Sequence, residues 1–540
     1  MMNETFHFWR RSGFTGWMGC GAMLAVGMTL AGATLSPAAP VYYQNPVIPG
    51  DHPDPSIIRV GNDFWATCTS SEWGPQFPLL HSTDLVNWEL TGPVFPHRPD
   101  WAVGNFWAPE ISEYKGRFAV YYVARERGGP LAVAVATADK PGGPYVDHGP
   151  MVAQPDGSID PAPATDENGV RYLIWKEDGN SRGQPTIIWA QRLNDDGTRL
   201  IDEPHELIRN DSDWEGAVVE GPFILRHNDW FYLFYSGNGC CGPGCNYALG
   251  VARSRKLLGP WEKNQMNPIL FANESWKCPG HGSIVTDQQG RYWLLYHAYS
   301  TGGSVFLGRE GLLDEVKFGT NDWPTINDSK GPSVKAVSPF GAVQQKTDDR
   351  FFDNFTGTEL EKGWQWPQSH EPSCQVKNGQ LWLSANERGN NMLGAVLARP
   401  TLAADYVAAT IVETKPLKSG WSAGLCAFGD SQNAMGVVFR DGNIITWRRD
   451  KGETHQLAQQ AAPAGKKLFL RLTAHQGYHF QFAFSADGKK WASCGDVSDA
   501  KNLPPWDRSV RVALTVGGAA DAVGQFDSFS LAPLDASHKD

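Results

Sequence analysis

The sequence predicts an all-β protein, a five-bladed β-propeller followed by an antiparallel β-sandwich, and three observations carry that expectation. The 540 residues include 58 Gly, 37 Pro and 22 Trp, a supply of turn formers and aromatics that suits short strands joined by tight turns. Up to about Phe318 one strand pattern recurs five times, and from Phe351 a different alternation begins. A chain of this length is also expected to hold two cores rather than one.

Each repeat opens on a short strand with its own heading: Asp54-Pro55-Ser56, Trp107-Ala108-Pro109, Asp160-Pro161-Ala162, Glu220-Gly221-Pro222 and His281-Gly282-Ser283. The headings lie 53, 53, 60 and 61 residues apart. A turn pair follows in every copy (Gly61-Asn62, Lys115-Gly116, Asn168-Gly169, Asn228-Asp229, Gln289-Gly290) and leads into an aromatic, β-branched strand, which is a hairpin signal. Third strands are expected at residues 78–82, 132–136, 186–190, 248–252 and 305–309. Repeated antiparallel units without helical periodicity describe propeller blades.

In a propeller the first strand of each blade runs beside the central channel, so the five headings converge. Three of them are acidic: Asp54, Asp160 and Glu220. An Asp-Pro pair alone reads as a turn, but carboxylates gathered in a cleft repel one another and resist desolvation, so the matched register points to chemistry. Cleaving a glycosidic bond needs one acid to protonate the leaving oxygen and a second to act at the anomeric carbon, and a third can tune the proton donor. Trp107 is a candidate sugar platform, with Trp73, Phe77 and Phe106 in the same class. Lys176-Glu177-Asp178 reads as a solvated strand end.

His52-Pro53-Asp54-Pro55-Ser56, Phe106-Trp107-Ala108-Pro109-Glu110, Ser158-Ile159-Asp160-Pro161, Val219-Glu220-Gly221-Pro222 and Gly280-His281-Gly282-Ser283 together resemble the blade signatures of glycoside hydrolase family 43, the β-xylosidase and α-L-arabinofuranosidase family. The resemblance spans roughly residues 44 to 325 and implies Asp54 as general base, Glu220 as general acid and Asp160 as pKa modulator. It implies inversion at the anomeric carbon, with the two reacting carboxyls about 6.5–9.5 Å apart. It also makes Arg309, in Gly308-Arg309-Glu310, a substrate contact, and His281 either a substrate contact or the single protein ligand of an axial calcium ion; no other cofactor is implied.

The N-terminus reads as an export signal over residues 1–39, with Arg10-Arg11 ahead of an apolar stretch at 18–30 and small residues at 31–33. A periplasmic or extracellular protein is expected. Cys20 falls within the signal, and the other eight cysteines are free to form disulfides after export. Cys240, Cys241 and Cys245 share the loop 239–246 without a histidine, which favours a local disulfide over zinc. The net charge of -11 gives no electrostatic reason to bind nucleic acid or anionic lipid, and no later segment is apolar enough to cross a bilayer.

The expected layout is a propeller over residues 40–330, a connector at 331–349 and a β-sandwich over 350–540. Strands are legible in the last part at 380–383, 406–412, 436–439, 444–447, 468–473, 480–484, 510–515 and 526–531, and it resembles the concanavalin-like sandwich appended to many family members. The function expected is an exo-acting hydrolase that removes terminal β-D-xylose or α-L-arabinofuranose from plant glycans. Its rivals are an endo-arabinanase of the same family and a non-catalytic sugar-binding propeller.

Overall fold

The computed structural model describes residues 39–346, 348–385 and 391–534, and it is all-β. The export signal expected at residues 1–39, Cys20 included, lies outside the described residues except for its last position. Among the described residues no helix is long and apolar enough to cross a membrane.

The first part consists of five four-stranded antiparallel sheets in chain order. Their first strands are Ser56–Val60, Trp107–Tyr114, Ser158–Thr165, Val219–His227 and Trp276–Thr286, and each pairs with the strand that follows its turn. The first strands of successive sheets lie against one another, and the fifth returns to lie against the first. An apolar layer fills every gap between neighbouring sheets. Phe77, Leu79 and Tyr122 lie between the first and second sheets, Tyr121, Val133 and Trp175 between the second and third, and Ile174, Leu207 and Phe231 between the third and fourth. Phe234, Leu249 and Leu294 fill the next gap, and Phe64, Leu80, Trp293 and Leu295 join the fifth sheet to the first. A large side chain buried in such a layer stabilises by roughly 1.5–3 kcal/mol. Hydroxyls tie the inner strands together: Ile57 N–H donates to Ser283 Oγ at 2.7 Å and Ile111 N–H to Ser56 Oγ at 2.9 Å.

One expected strand is misplaced. Residues 305–309 are not the third strand of the fifth sheet, which is Glu310–Phe318, and Ser304–Phe306 forms a short 3-10 turn. The apolar character that suggested a strand serves a different contact, because Phe306 packs on Tyr478 with ring centroids 5.4 Å apart.

From Phe351 onward the strands form two antiparallel sheets, one of nine strands and one of six. They enclose a shared core that includes Leu381, Leu425, Leu470, Leu514 and Phe526. All eight strands expected here are present, together with Ser373–Lys377, Ala395–Pro400, Ser422–Phe428 and Glu453–Ala461, which were not expected. The connector is partly strand, since Lys335–Val337 pairs with Tyr42–Gln44. Trp366–Pro367 of the second part pairs with Trp73–Gly74 of the first.

Candidate active site

At the head of each first strand one residue adopts left-handed backbone: Asp54 (φ 52°), Ala108 (φ 40°), Asp160 (φ 56°), Gly221 (φ 58°) and His281 (φ 37°). Four of the ladders slip register there, as between Ile159 and Ala162 and between Glu220 and Phe223. A bulge re-aims the side chain it carries, and non-glycine residues held at positive φ cost of order 1–3 kcal/mol each, which makes such positions functional candidates. Gly221 has a second reason to be glycine: a Cβ there would lie 2.8 Å from the His281 ring.

The headings open on a cavity of about 460 Å³ lined by Asp54, Asp160, Glu220, Trp107, His281 and Arg309. Asp54 is buried, and its Oδ1 accepts from Arg309 Nη1 at 2.9 Å while its Oδ2 accepts from Thr69 Oγ1 at 2.7 Å. Its backbone N–H donates to His297 Nδ1 at 3.1 Å. Burial opposes the Asp54 charge, but the Arg309 guanidinium and His281 outweigh it and hold the carboxyl well below the ordinary range. On the facing wall Glu220 Oε2 lies 2.7 Å from Lys176 Nζ, which also donates to Asp178 Oδ1 at 2.9 Å. Burial again opposes the charge, and Lys176 again outweighs it, so the Glu220 carboxyl is lowered. Asp160 Oδ2 accepts from the Gly221 N–H at 2.9 Å. Burial, and then the negative charge of Glu220, push Asp160 up to about 6, against the pull of His281 and Lys176.

The second part of the chain supplies one side of the cavity through Trp506 and Asp507. Trp506 meets Trp107 edge to face with centroids 5.8 Å apart. Arg309 Nη2 donates to the Asp507 carbonyl at 3.2 Å, and Ser71 Oγ to Asp507 Oδ2 at 3.0 Å. Behind them a buried Asp51–Arg511 ion pair of 3.1 Å fastens the two parts together.

Of the residues singled out in the sequence, Asp54, Asp160, Glu220, Trp107, His281 and Arg309 share the cavity, whereas Trp73, Phe77 and Phe106 are not on its wall. Trp73 is buried against Phe428 of the second part, and Phe106 packs on Phe77 between the first two sheets. Their aromaticity serves packing. Lys176 is not a solvated strand end: it is 1 % exposed and faces Glu220. A lone lysine closing the apolar run Leu173-Ile174-Trp175 was the available signal. No motif marked Trp506 or Asp507.

His281 Nδ1 lies 3.5 Å from Asp54 Oδ1, and among the described residues no group of three or more His, Cys, Asp or Glu is arranged to hold a metal ion. Calcium takes six to eight oxygen ligands; with His281 as its one protein ligand, water would have to supply them, and the chemistry proposed for the site rests on the chain's own carboxylates.

Residues 43–324 match the family described as Glycosyl hydrolases family 43, and residues 352–505 match the Beta xylosidase C-terminal Concanavalin A-like domain. The chain is 27% identical over 504 residues to Xylosidase/arabinosidase 43B of Humicola insolens, covering 85% of this chain and 89% of that protein. It is 25% identical over 478 residues to the non-reducing end α-L-arabinofuranosidase BoGH43B of Bacteroides ovatus, covering 84% and 86%. The crystal structure of the GH43 BlXynB protein from Bacillus licheniformis superposes with a TM-score of 0.79 at 26% identity, covering 91% of this chain and all of that one.

Proposed function

Because the chain belongs to family 43 of the glycosyl hydrolases, we propose that it is an exo-acting, inverting glycoside hydrolase that removes terminal β-D-xylose or α-L-arabinofuranose units from plant glycans. The observation that carries this reading is the pairing of Asp54 and Glu220 on one cavity that the second part of the chain walls on one side with Trp506 and Asp507. Such a wall suits a chain end better than the middle of a polysaccharide.

In the proposed reaction Asp54, ionised at every working pH, takes a proton from a water whose oxygen attacks the anomeric carbon. Glu220 gives its proton to the glycosidic oxygen as the carbon–oxygen bond breaks, in one displacement with inversion. Lys176 keeps Glu220 ionised before substrate arrives, so the proton of the pair rests on Asp160 and reaches Glu220 during the cycle. Arg309 fixes Asp54 and presents its guanidinium to the sugar hydroxyls, and Trp107 and Trp506 face the C–H surface of the sugar.

The same reading takes the five sheets as blades of a propeller over residues 40–330, a connector at 331–349 and a sandwich over 350–540. The closed sequence of apolar layers supports it. Export to the periplasm or beyond is proposed from residues 1–39, and the two disulfides are in keeping with it.

The test is hydrolysis of 4-nitrophenyl β-D-xylopyranoside and α-L-arabinofuranoside, with the anomer of the released sugar followed by NMR. Release of the inverted anomer from either substrate is expected. Inertness toward both, or retention, would overturn the proposal.

A further inference from the structure

Cys240 and Cys241, adjacent in the chain, are joined to each other by a disulfide, and both line the catalytic cavity. Ladder pairing sets Val219 opposite Gly237 and Glu220 opposite Ser236, so the loop that carries the two cysteines starts beside Glu220. The loop is pinned from several directions. Gly239 N–H donates to Asn246 Oδ1 at 3.0 Å and Asn246 N–H donates back to the Gly239 carbonyl at 3.0 Å. Gly242 N–H donates to the Tyr299 hydroxyl at 3.2 Å. A second disulfide, Cys245–Cys278, ties the loop to the strand that carries His281, and a Cβ on Gly242 would come within 3.7 Å of the Trp506 backbone.

Two free neighbouring cysteines would present separate, rotatable thiols, each a weak hydrogen-bond donor. Joined, they lose both thiol donors and close a small ring that presents a polarizable, apolar sulfur surface. Held by the pinned loop, that surface is fixed before any ligand arrives, which lowers the ordering cost of binding. A pentose offers such a surface its C–H face while its hydroxyls turn to Arg309 and the carboxylates.

We propose that the Cys240–Cys241 disulfide is a substrate-binding platform that takes the C–H face of the pentose in this cavity, acting as a third apolar wall beside Trp107 and Trp506. The inference rests on the pentosidase reading above.

The experiment compares wild type, Cys240→Ser/Cys241→Ser and Cys240→Ala/Cys241→Met on the better aryl pentoside, with free pentose as competitive inhibitor and Tm recorded for each. The serine pair is expected to raise KM and the pentose inhibition constant about fivefold while lowering kcat by less, with Tm within about 2 °C of wild type. The apolar pair is expected to recover most of that loss. KM and inhibition constant unchanged in the serine pair would overturn the proposal. So would equal losses in both variants alongside a fallen Tm, since the bond would then only staple the loop. A wild type inert toward every pentoside would instead sink the pentosidase reading, and an active wild type with an unaffected serine pair would sink this inference alone.

Discussion

Asp54 and Glu220 open on the same cavity, and each is held by a different cation. Asp54 is gripped by Arg309, whose guanidinium is braced in turn by the Asp507 carbonyl of the second part of the chain. Glu220 is met by Lys176, which belongs to the third sheet and is braced by Asp178, just past the end of the same strand. A guanidinium stays charged and holds a planar geometry, whereas an ammonium sits on a flexible stem. One wall is therefore built to keep a carboxylate permanently ionised, and the other to hold a carboxylate that can be released. That division matches a base that activates water and an acid that must be charged with a proton in every cycle.

The sharpest way to break this contrast is to remove each acid in turn. Asp54→Ala and Glu220→Ala are both expected to lower kcat on a pentose disaccharide by roughly 10²–10⁴-fold. Only Glu220→Ala should recover on an aryl glycoside with a good leaving group, because such a group departs without protonation. Steady-state kinetics on the two substrates decide this, and equal leaving-group dependence in both variants would end the assignment.

Asp160 sharpens the contrast through stability. Its folded-state carboxyl is raised to about 6 from an ordinary 3.8, a difference worth about 3 kcal/mol. With a raised pKa, the associated stability is fully present below about pH 4 and is lost as pH rises through about 6. Asp160→Asn keeps an oxygen to accept the Gly221 N–H but carries no charge. It should raise Tm at pH 7.5, leave Tm unchanged below about pH 4, and cost about 10²-fold or more in kcat. Melting curves at the two pH values test it.

How far the sequence revealed all this depended on repetition. Asp54, Asp160 and Glu220 were legible because each occupies the same register in a repeated unit, so a pattern too weak at one position was secured by its copies. The outermost strands escaped notice because they bury little: Leu200–Arg209 is mostly exposed and Glu262–Lys263 is very short. Ser422–Phe428 escaped for the opposite reason, being buried on both faces and so without alternation. Trp73 and Phe306 show that aromatic or apolar character near a site can answer to the contact between the two parts of the chain, which no local pattern reveals. Trp506 and the Cys240–Cys241 pair reach the cavity through tertiary placement, and Lys176 carried only the weak signal of a charge closing an apolar strand.

Lys176 tests the releasable wall directly. The kcat/KM profile should fall on its alkaline side near pH 6, where Asp160, which carries the proton in the proposed cycle, ionises. Lys176→Met removes the charge that lowers Glu220, so the alkaline limb should move to higher pH. Asp160→Asn removes the neighbouring negative charge and should move the residual limb to lower pH. Limbs that move together, or not at all, would show that the titrating proton belongs elsewhere.

The smallest effect is expected at the wall contributed by the second part. Trp506 is 59% exposed and touches Trp107 edge to face, so Trp506→Ala removes an aromatic contact without opening the core. If its contact with the C–H face of the sugar is worth what an aromatic contact usually is, about 0.5–1.5 kcal/mol, KM should rise roughly two- to tenfold, and Tm should fall little because the side chain is exposed. The same variant should admit longer chains, because the wall that confines the sugar to a chain end is thinned. Product analysis on a linear pentose oligosaccharide separates the two effects: wild type should release monosaccharide alone, and Trp506→Ala should release some disaccharide. A variant with higher KM and an unchanged product pattern would mean that Trp506 only binds sugar and that confinement to chain ends comes from Asp507 and the segment behind it.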